Sequence, residues 1–111
     1  MNGYYELKTT AAGKFMFNLK AGNHQVILTS ETYDSKSAAS NGIASVRTNG
    51  PKESSFEKKV SSAGQPYFVL KAGNGETIGK SEMYTSEAAR ESGIASVIAN
   101  SPSEKVVEVS A

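Results

Sequence analysis

A chain whose second half repeats its first can adopt only folds that a half-length unit can build with a copy of itself. Here residue 5 aligns with residue 56, an offset of 51 that runs without a gap through each copy. Lys20-Ala21-Gly22-Asn23 returns as Lys71-Ala72-Gly73-Asn74, and Ser30-Glu31-Thr32-Tyr33 as Ser81-Glu82-Met83-Tyr84. Gly42-Ile43-Ala44-Ser45-Val46 returns as Gly93-Ile94-Ala95-Ser96-Val97, and Asn49 and Pro51 as Asn100 and Pro102. Roughly half of the aligned positions are identical, so each copy checks what is read from the other. The 111 residues suffice for a single compact domain whose two halves share one core.

Both copies read alike. Tyr5 to Thr9 and Phe56 to Val60 are first strands, each ending in an Ala-Gly turn at residues 12–13 or 63–64. In the second strand Phe15, Phe17 and Leu19 alternate with Lys14, Met16 and Asn18, a period of two that buries one face. The second copy repeats this with Pro66, Phe68 and Leu70, where Pro66 fits a strand start or an edge. Gly22-Asn23 and Gly73-Asn74-Gly75 supply residues that tolerate positive φ, marking a hairpin into a third strand around Ile27 and Ile78. By alternation Val26, Leu28, Tyr67 and Val69 point away from the main apolar face, so something must cover them.

A helix follows in each copy, with Ser35 or Ser86 placed to cap it. Ala38, Gly42, Ile43 and Val46 fall on one face of a 3.6-residue period, as do Ala89, Gly93, Ile94 and Val97. The stops are Asn49-Gly50-Pro51 and Asn100-Ser101-Pro102. A mid-helix glycine costs about 1 kcal/mol relative to alanine. Its presence at the same place in both copies predicts a helix lying close to its sheet there. Beyond the helices Glu53 aligns with Glu104 and Phe56-Glu57 with Val107-Glu108, so Lys105 to Val109 is a final strand. The stretch around Phe56 then closes the first copy and opens the second.

The expected fold is α+β: two tandem β-β-β-α-β repeats, 5–51 and 56–102, with 103–111 as final strand and tail. All of 1–111 forms one compact domain with two helices and a shared, mainly antiparallel sheet. The run Phe-x-Leu-Lys-Ala-Gly-Asn, then Ser-Glu-x-Tyr, then Gly-Ile-Ala-Ser-Val, present twice, resembles the YegP-like family of uncharacterised bacterial proteins in its duplicated form. The resemblance covers about Tyr5 to Pro102 and implies two units joined in a single sheet with exchanged C-terminal strands. It brings no activity, substrate or catalytic residue with it. His24, standing where the second copy has Gly75, departs from the Asn-Gly turn.

Composition narrows the function classes. Twelve basic residues against eleven acidic give a net charge of +1, which does not suit a strongly polyanion-seeking protein. With no cysteine there is no disulfide framework, thiolate metal site or cysteine nucleophile. The first residues show no basic stretch followed by an apolar run, so no signal peptide is read. No apolar run approaches the roughly 20 residues that span a bilayer. The expectation is a cytoplasmic protein with no membrane segment.

Three sets of residues could carry chemistry. His24 is the only histidine and has no second ligand near it, so no metal site is read. Gly73-Asn74-Gly75-Glu76 lacks the spacing and lysine of a phosphate loop. In Ser30-Glu31-x-Tyr33 and Ser81-Glu82-x-Tyr84, Glu31, Tyr33, Glu82 and Tyr84 could face a small ligand. Structurally, each tyrosine could instead be a core plug and each glutamate a partner of the helix dipole. Lys20 and Lys71, widened by Lys8, Lys59, Lys14 and Lys58, resemble a nucleic-acid platform in outline, although Glu6 and Glu57 share their strands.

Neither catalytic residues nor a cofactor are expected, since no nucleophile–base set or cofactor fingerprint is present. The leading reading is a small non-catalytic binding or interaction module with an unidentified partner, a protein being one candidate. Weak nucleic-acid binding and small-molecule binding are the alternatives. Because both repeats lie in one chain, a monomer is expected.

Overall fold

A computed structural model describes residues 3–109. Residues 1–2 and 110–111 lie outside the described residues, and with them the first two residues of the sequence read for a signal peptide and the last two of the predicted tail. The chain runs β1 (Tyr4–Thr9), β2 (Phe15–Lys20), β3 (Val26–Ser30), α1 (Lys36–Asn49), a 3₁₀ turn (Glu53–Ser55), β4 (Phe56–Val60), β5 (Pro66–Lys71), β6 (Thr77–Lys80), α2 (Glu87–Asn100) and β7 (Val106–Val109).

The strands form one seven-stranded sheet in the order β4-β5-β6-β3-β2-β1-β7. All neighbours are antiparallel except β1 and β7, which run parallel. A C-terminal strand is exchanged as expected: β7 leaves the second repeat to pair with β1, while β4, the equivalent of β1, pairs with β5 as β1 does with β2. The fold is α+β, with α1 packed on β2, β5 and β6, and α2 on β2, β3 and β5. Each helix thus contacts strands of both repeats.

Local chemistry sets these elements. The Ser35 and Ser86 hydroxyls accept from the Ala38 and Ala89 amides, capping both helices. Positive φ in the second hairpins falls on His24 (69°) and Gly75 (85°), one residue beyond each asparagine. Asn23 and Asn74 instead turn their side-chain oxygens to the amides of Gln25 and Glu76, an Asx bond that tightens the turn. The buried stripe of α1 is Ala39, Gly42, Ile43, Val46 and Asn49, so Ala39 rather than Ala38 faces the core.

The close helix approach is present in both copies. A Cβ on Gly42 would lie 2.5 Å from the Tyr33 hydroxyl and 2.9 Å from the Phe17 ring. On Gly93 it would lie 2.2 Å from the Tyr84 hydroxyl. Each tyrosine ring stacks on the neighbouring phenylalanine, Tyr33 on Phe17 and Tyr84 on Phe68, with planes within 7° and 11°.

Leu28 departs from the alternation reading. It lies directly opposite Leu19, so it shares Leu19's face and is fully buried in the core. The irregularity between Leu19 and Lys20 adds a residue to one strand and shifts the parity beyond it. At the seam between repeats only Thr29↔Lys80 and Ser30↔Gly79 pair. Leu28 lies over Gly79, its own repeat equivalent, where a Cβ would come 3.0 Å from the leucine Cγ. The helix ends meet similarly: a Cβ on Gly50 would be 2.4 Å from the Cβ of Ser101, again its equivalent.

Candidate functional site

On the sheet face away from the helices Glu6 and Glu57 each hold two lysines, whereas Lys58, expected to widen that set, lies opposite Phe68 and turns to the helix side. Glu6 receives Lys20 at 3.1 Å and Lys8 at 3.2 Å. Glu57 receives Lys71 at 2.5 Å and Lys59 at 3.1 Å. Burial pushes the Glu6 carboxyl up, but its bonds to Lys20 and Lys8 outweigh this and hold it below the usual range. Lys20 and Lys71 end strands that run in opposite directions with β3 and β6 between them. They therefore share a face but lie at its opposite ends, three strand spacings or about 14 Å apart sideways. Lys14 is paired with Asp34, and Lys58 with Glu91 at 2.8 Å.

The two Ser-Glu-x-Tyr segments are built identically. The Ser30 hydroxyl accepts from the Phe17 amide and donates to the Glu31 carbonyl, and Ser81 does the same between Phe68 and Glu82. Both serines thereby stitch the segment to the second strand of its repeat. Tyr33 and Tyr84 are half-buried between strand and helix, where burial first, and the nearby Glu31 or Glu82 second, raise their hydroxyl pKa. Glu31 and Glu82 are exposed. Glu31 and Tyr33 do border a common cavity of about 340 Å³ with Ser45, Asn74 and Glu76, the last two from the other repeat.

His24 lies with its Nδ1 3.0 Å from the Tyr4 hydroxyl. No group of three or more His, Asp or Glu that could hold a metal occurs among the described residues.

A feature not anticipated from sequence lies at the sheet edges. Two repeats that share one strand supply seven strands, so the repeat symmetry is incomplete. The outer edge of β1 is filled by β7: the Tyr5 amide donates to the Lys105 carbonyl at 2.9 Å, and Tyr5↔Val106 and Leu7↔Glu108 align in parallel. Arg47 of α1 fastens the approach to β7, its Nε donating to the Ser103 carbonyl at 2.9 Å and its Nη2 to that of Glu104 at 3.2 Å. Lys36 pairs with Glu108.

The equivalent edge, the outer side of β4, has no strand on it among the described residues. The Phe68 amide points toward β6, where it bonds Ser81, so strand alternation turns the Lys58 N–H and C=O, opposite Phe68, outward to that edge. Between β4 and α2 lies a groove of about 170 Å³ lined by Glu53, Phe56, Lys58, Glu91, Ile94, Ala95 and Ile98. Its counterpart under β7 includes Leu7, Ser40, Ile43 and Arg47, which the 51-residue offset maps onto Lys58, Glu91, Ile94 and Ile98. Val60, at the end of β4, is 63% exposed. The outer edge of β7 is also unpaired among the described residues, but β7 is a strand of only four residues, and the cavity between it and α1 lies on its inner side, toward β1.

This architecture defines a class: a tandem-duplicated α+β protein in which one sheet is closed on one edge by its own last strand. The family model described as "Domain of unknown function (DUF1508)" matches it twice, over residues 11–57 and 61–108. The chain belongs to that family. It is 53% identical over 106 residues to the UPF0339 protein YegP of Escherichia coli, covering 96% of each chain. To a UPF0339 protein of Mannheimia succiniciproducens it is 52% identical over 107 residues, covering 96% of this chain and 95% of the other. The solution NMR structure of yegP from E. coli, a protein of unknown function, superposes with a TM-score of 0.94 at 51% identity, covering 99% of this chain and 95% of that one. That of a UPF0339 protein from Shewanella oneidensis gives 0.92 at 49% identity, with 99% and 93% covered. None of these descriptions names an activity. No helix among the described residues is long and apolar enough to cross a membrane.

Proposed function

We propose that the protein is a non-catalytic interaction module that binds an extended segment of a partner protein as an eighth strand on the outer edge of β4. The observation that carries this reading is the inequality of equivalent edges: β1 has β7 upon it, and β4 has a groove and an outward-facing backbone pair. Strand addition takes its affinity from main-chain hydrogen bonds and its selectivity from alternate side chains entering such a groove. The chain acts as a monomer, since both repeats already share one sheet. Nucleic-acid binding has less support, because Glu6 and Glu57 each engage two of the lysines on this face, and Lys20 and Lys71 lie at its opposite ends.

Lys58→Pro removes one outward N–H without taking a donor from the β4–β5 ladder. Peptides selected from a displayed random library against the natural chain should lose binding to this variant, with its circular dichroism spectrum unchanged. Equal binding to both proteins would rule out strand addition at β4. The cavity that joins Glu31 and Tyr33 to Asn74 and Glu76 favours a second reading, a small polar ligand at the repeat seam. Amide shifts confined to those residues on titration with a metabolite pool would support it over the first.

A further inference from the structure

β7 shows what the β1 edge accepts, and the differences between repeats show how the β4 edge differs. In the parallel register of the β1–β7 pair, Val106 aligns with Tyr5 and Glu108 with Leu7. Val106 and Glu108 border the cavity under β7 with Leu7, Ile43 and Lys36, so both lie on the helix side of the sheet. An occupant of β4 in the same register places one residue opposite Phe56 and another, two positions on, opposite Lys58. The first meets Ile94 and Ile98 in the groove.

The second loses both cations that hold β7 and meets two added acids. Lys36, which pairs with Glu108, is replaced at the equivalent place by Glu87, and Ser40 by Glu91. Arg47, the other cation directed at the β7 segment, is replaced by Ile98. Lys58, directly opposite that residue, and Arg90 also border this end and equal the new acids in number, but both are drawn to Glu91 and leave Glu87 the more open. Lys58 is 2.8 Å from Glu91, and Arg90 is 3.4 Å from Glu87 and 3.6 Å from Glu91. Arg90 is nearly buried and also donates to the Lys59 carbonyl, whereas the Glu87 side chain is 84% exposed and open to an incoming cation.

Resting on strand addition as proposed above, we infer that the β4 edge selects a parallel segment with an apolar residue followed two positions later by lysine or arginine. That is the β7 pattern with the charge of its acidic residue inverted. Glu57 and Lys59 point to the other face and take no part in this choice.

The test uses the whole chain and two synthetic peptides, the sequence of residues 103–109 and the same peptide carrying Glu108→Lys, followed by amide chemical shifts. Both peptides should move the Lys58 amide. The lysine peptide should bind roughly fivefold more tightly, the effect of one opposite-charge contact replacing one like-charge contact. In the Glu87→Lys protein the order of the peptides should reverse.

Equal affinities, or an order that Glu87→Lys does not change, would overturn the charge selection and leave strand addition standing. No movement at Lys58 with either peptide at millimolar concentration would overturn strand addition itself. Shifts centred on Leu7 would mean that the peptides displace β7, and would overturn the assignment to β4. A Lys58 shift that grows with protein concentration alone would identify a second copy as the occupant and overturn the peptide reading.

Discussion

Gly42→Ala tests the packing that sets the helix-to-sheet spacing. In an exposed helix this change gains about 1 kcal/mol of helix propensity. Here the new Cβ would stand 2.5 Å from the Tyr33 hydroxyl and 2.9 Å from the Phe17 ring, and Tyr33 is stacked on Phe17, so the ring has little room to withdraw. Overpacking of this kind costs about 1–3 kcal/mol. Taking about 2 kcal/mol and subtracting the propensity gain leaves a net destabilisation of about 1 kcal/mol, or roughly 4 °C in Tm. Tyr33→Phe removes the nearest atom and leaves Cζ at 2.9 Å, so the double variant should recover a measurable part of the loss. Gly93→Ala with Tyr84→Phe forms an internal replicate, with closer contacts of 2.2 Å and 2.6 Å and therefore a loss at least as large. Denaturant unfolding followed by circular dichroism measures all of these. If Gly42→Ala and Gly93→Ala instead stabilise by the full helix-propensity gain, the tyrosines do not press on the helices and the reasoning is refuted.

Ser35→Ala and Ser86→Ala should each cost about 1 kcal/mol by leaving the Ala38 or Ala89 amide uncapped, read as a lower urea midpoint at unchanged slope. The Tyr5 hydroxyl, which donates to the Ser101 carbonyl at 2.6 Å, has its pKa pushed far up by burial, with only partial opposition from Arg47. A raised folded-state pKa means that the neutral phenol favours the fold. That contribution is complete below the unfolded value of about 10 and declines as pH rises above it. Unfolding midpoints of the natural chain should therefore fall more steeply above pH 10 than those of Tyr5→Phe, and parallel slopes would sink the assignment.

Much of the fold was legible because the signals were local and present twice. The capping serines, the helix glycines and the final strand each rested on a residue type with one strong conformational reason, repeated 51 positions later. Leu28 was misplaced because alternation assumes an unbroken ladder, and the irregularity at Leu19/Lys20 belongs to strand pairing, which one strand does not display. The buried Arg90 stands where the first repeat has the fully buried Ala39, and that substitution was visible in the repeat alignment. Lys20 and Lys71 were read on the face away from Leu19 and Leu70, but Lys58, read as widening that face, turns to the helix side with Phe56; Glu6 and Glu57 were recognised on the same strands as the lysines. Their ion pairing needed the register that brings Lys20 beside Glu6. The free β4 edge followed from counting strands, three and three and one, but only once the sheet order was known.

The seam also bears on how the two halves recognise each other. Leu28 is large where Gly79 is small, and Ser101 is larger where Gly50 is small, so each repeat supplies the bulk at one point of the junction and the space at the other. Two first repeats brought together would set leucine against leucine and leave a gap between glycines, and two second repeats would make the opposite errors. The repeats have thus become a matched pair that disfavours self-pairing of either one. Co-expressed as separate fragments, they should assemble as a heterodimer.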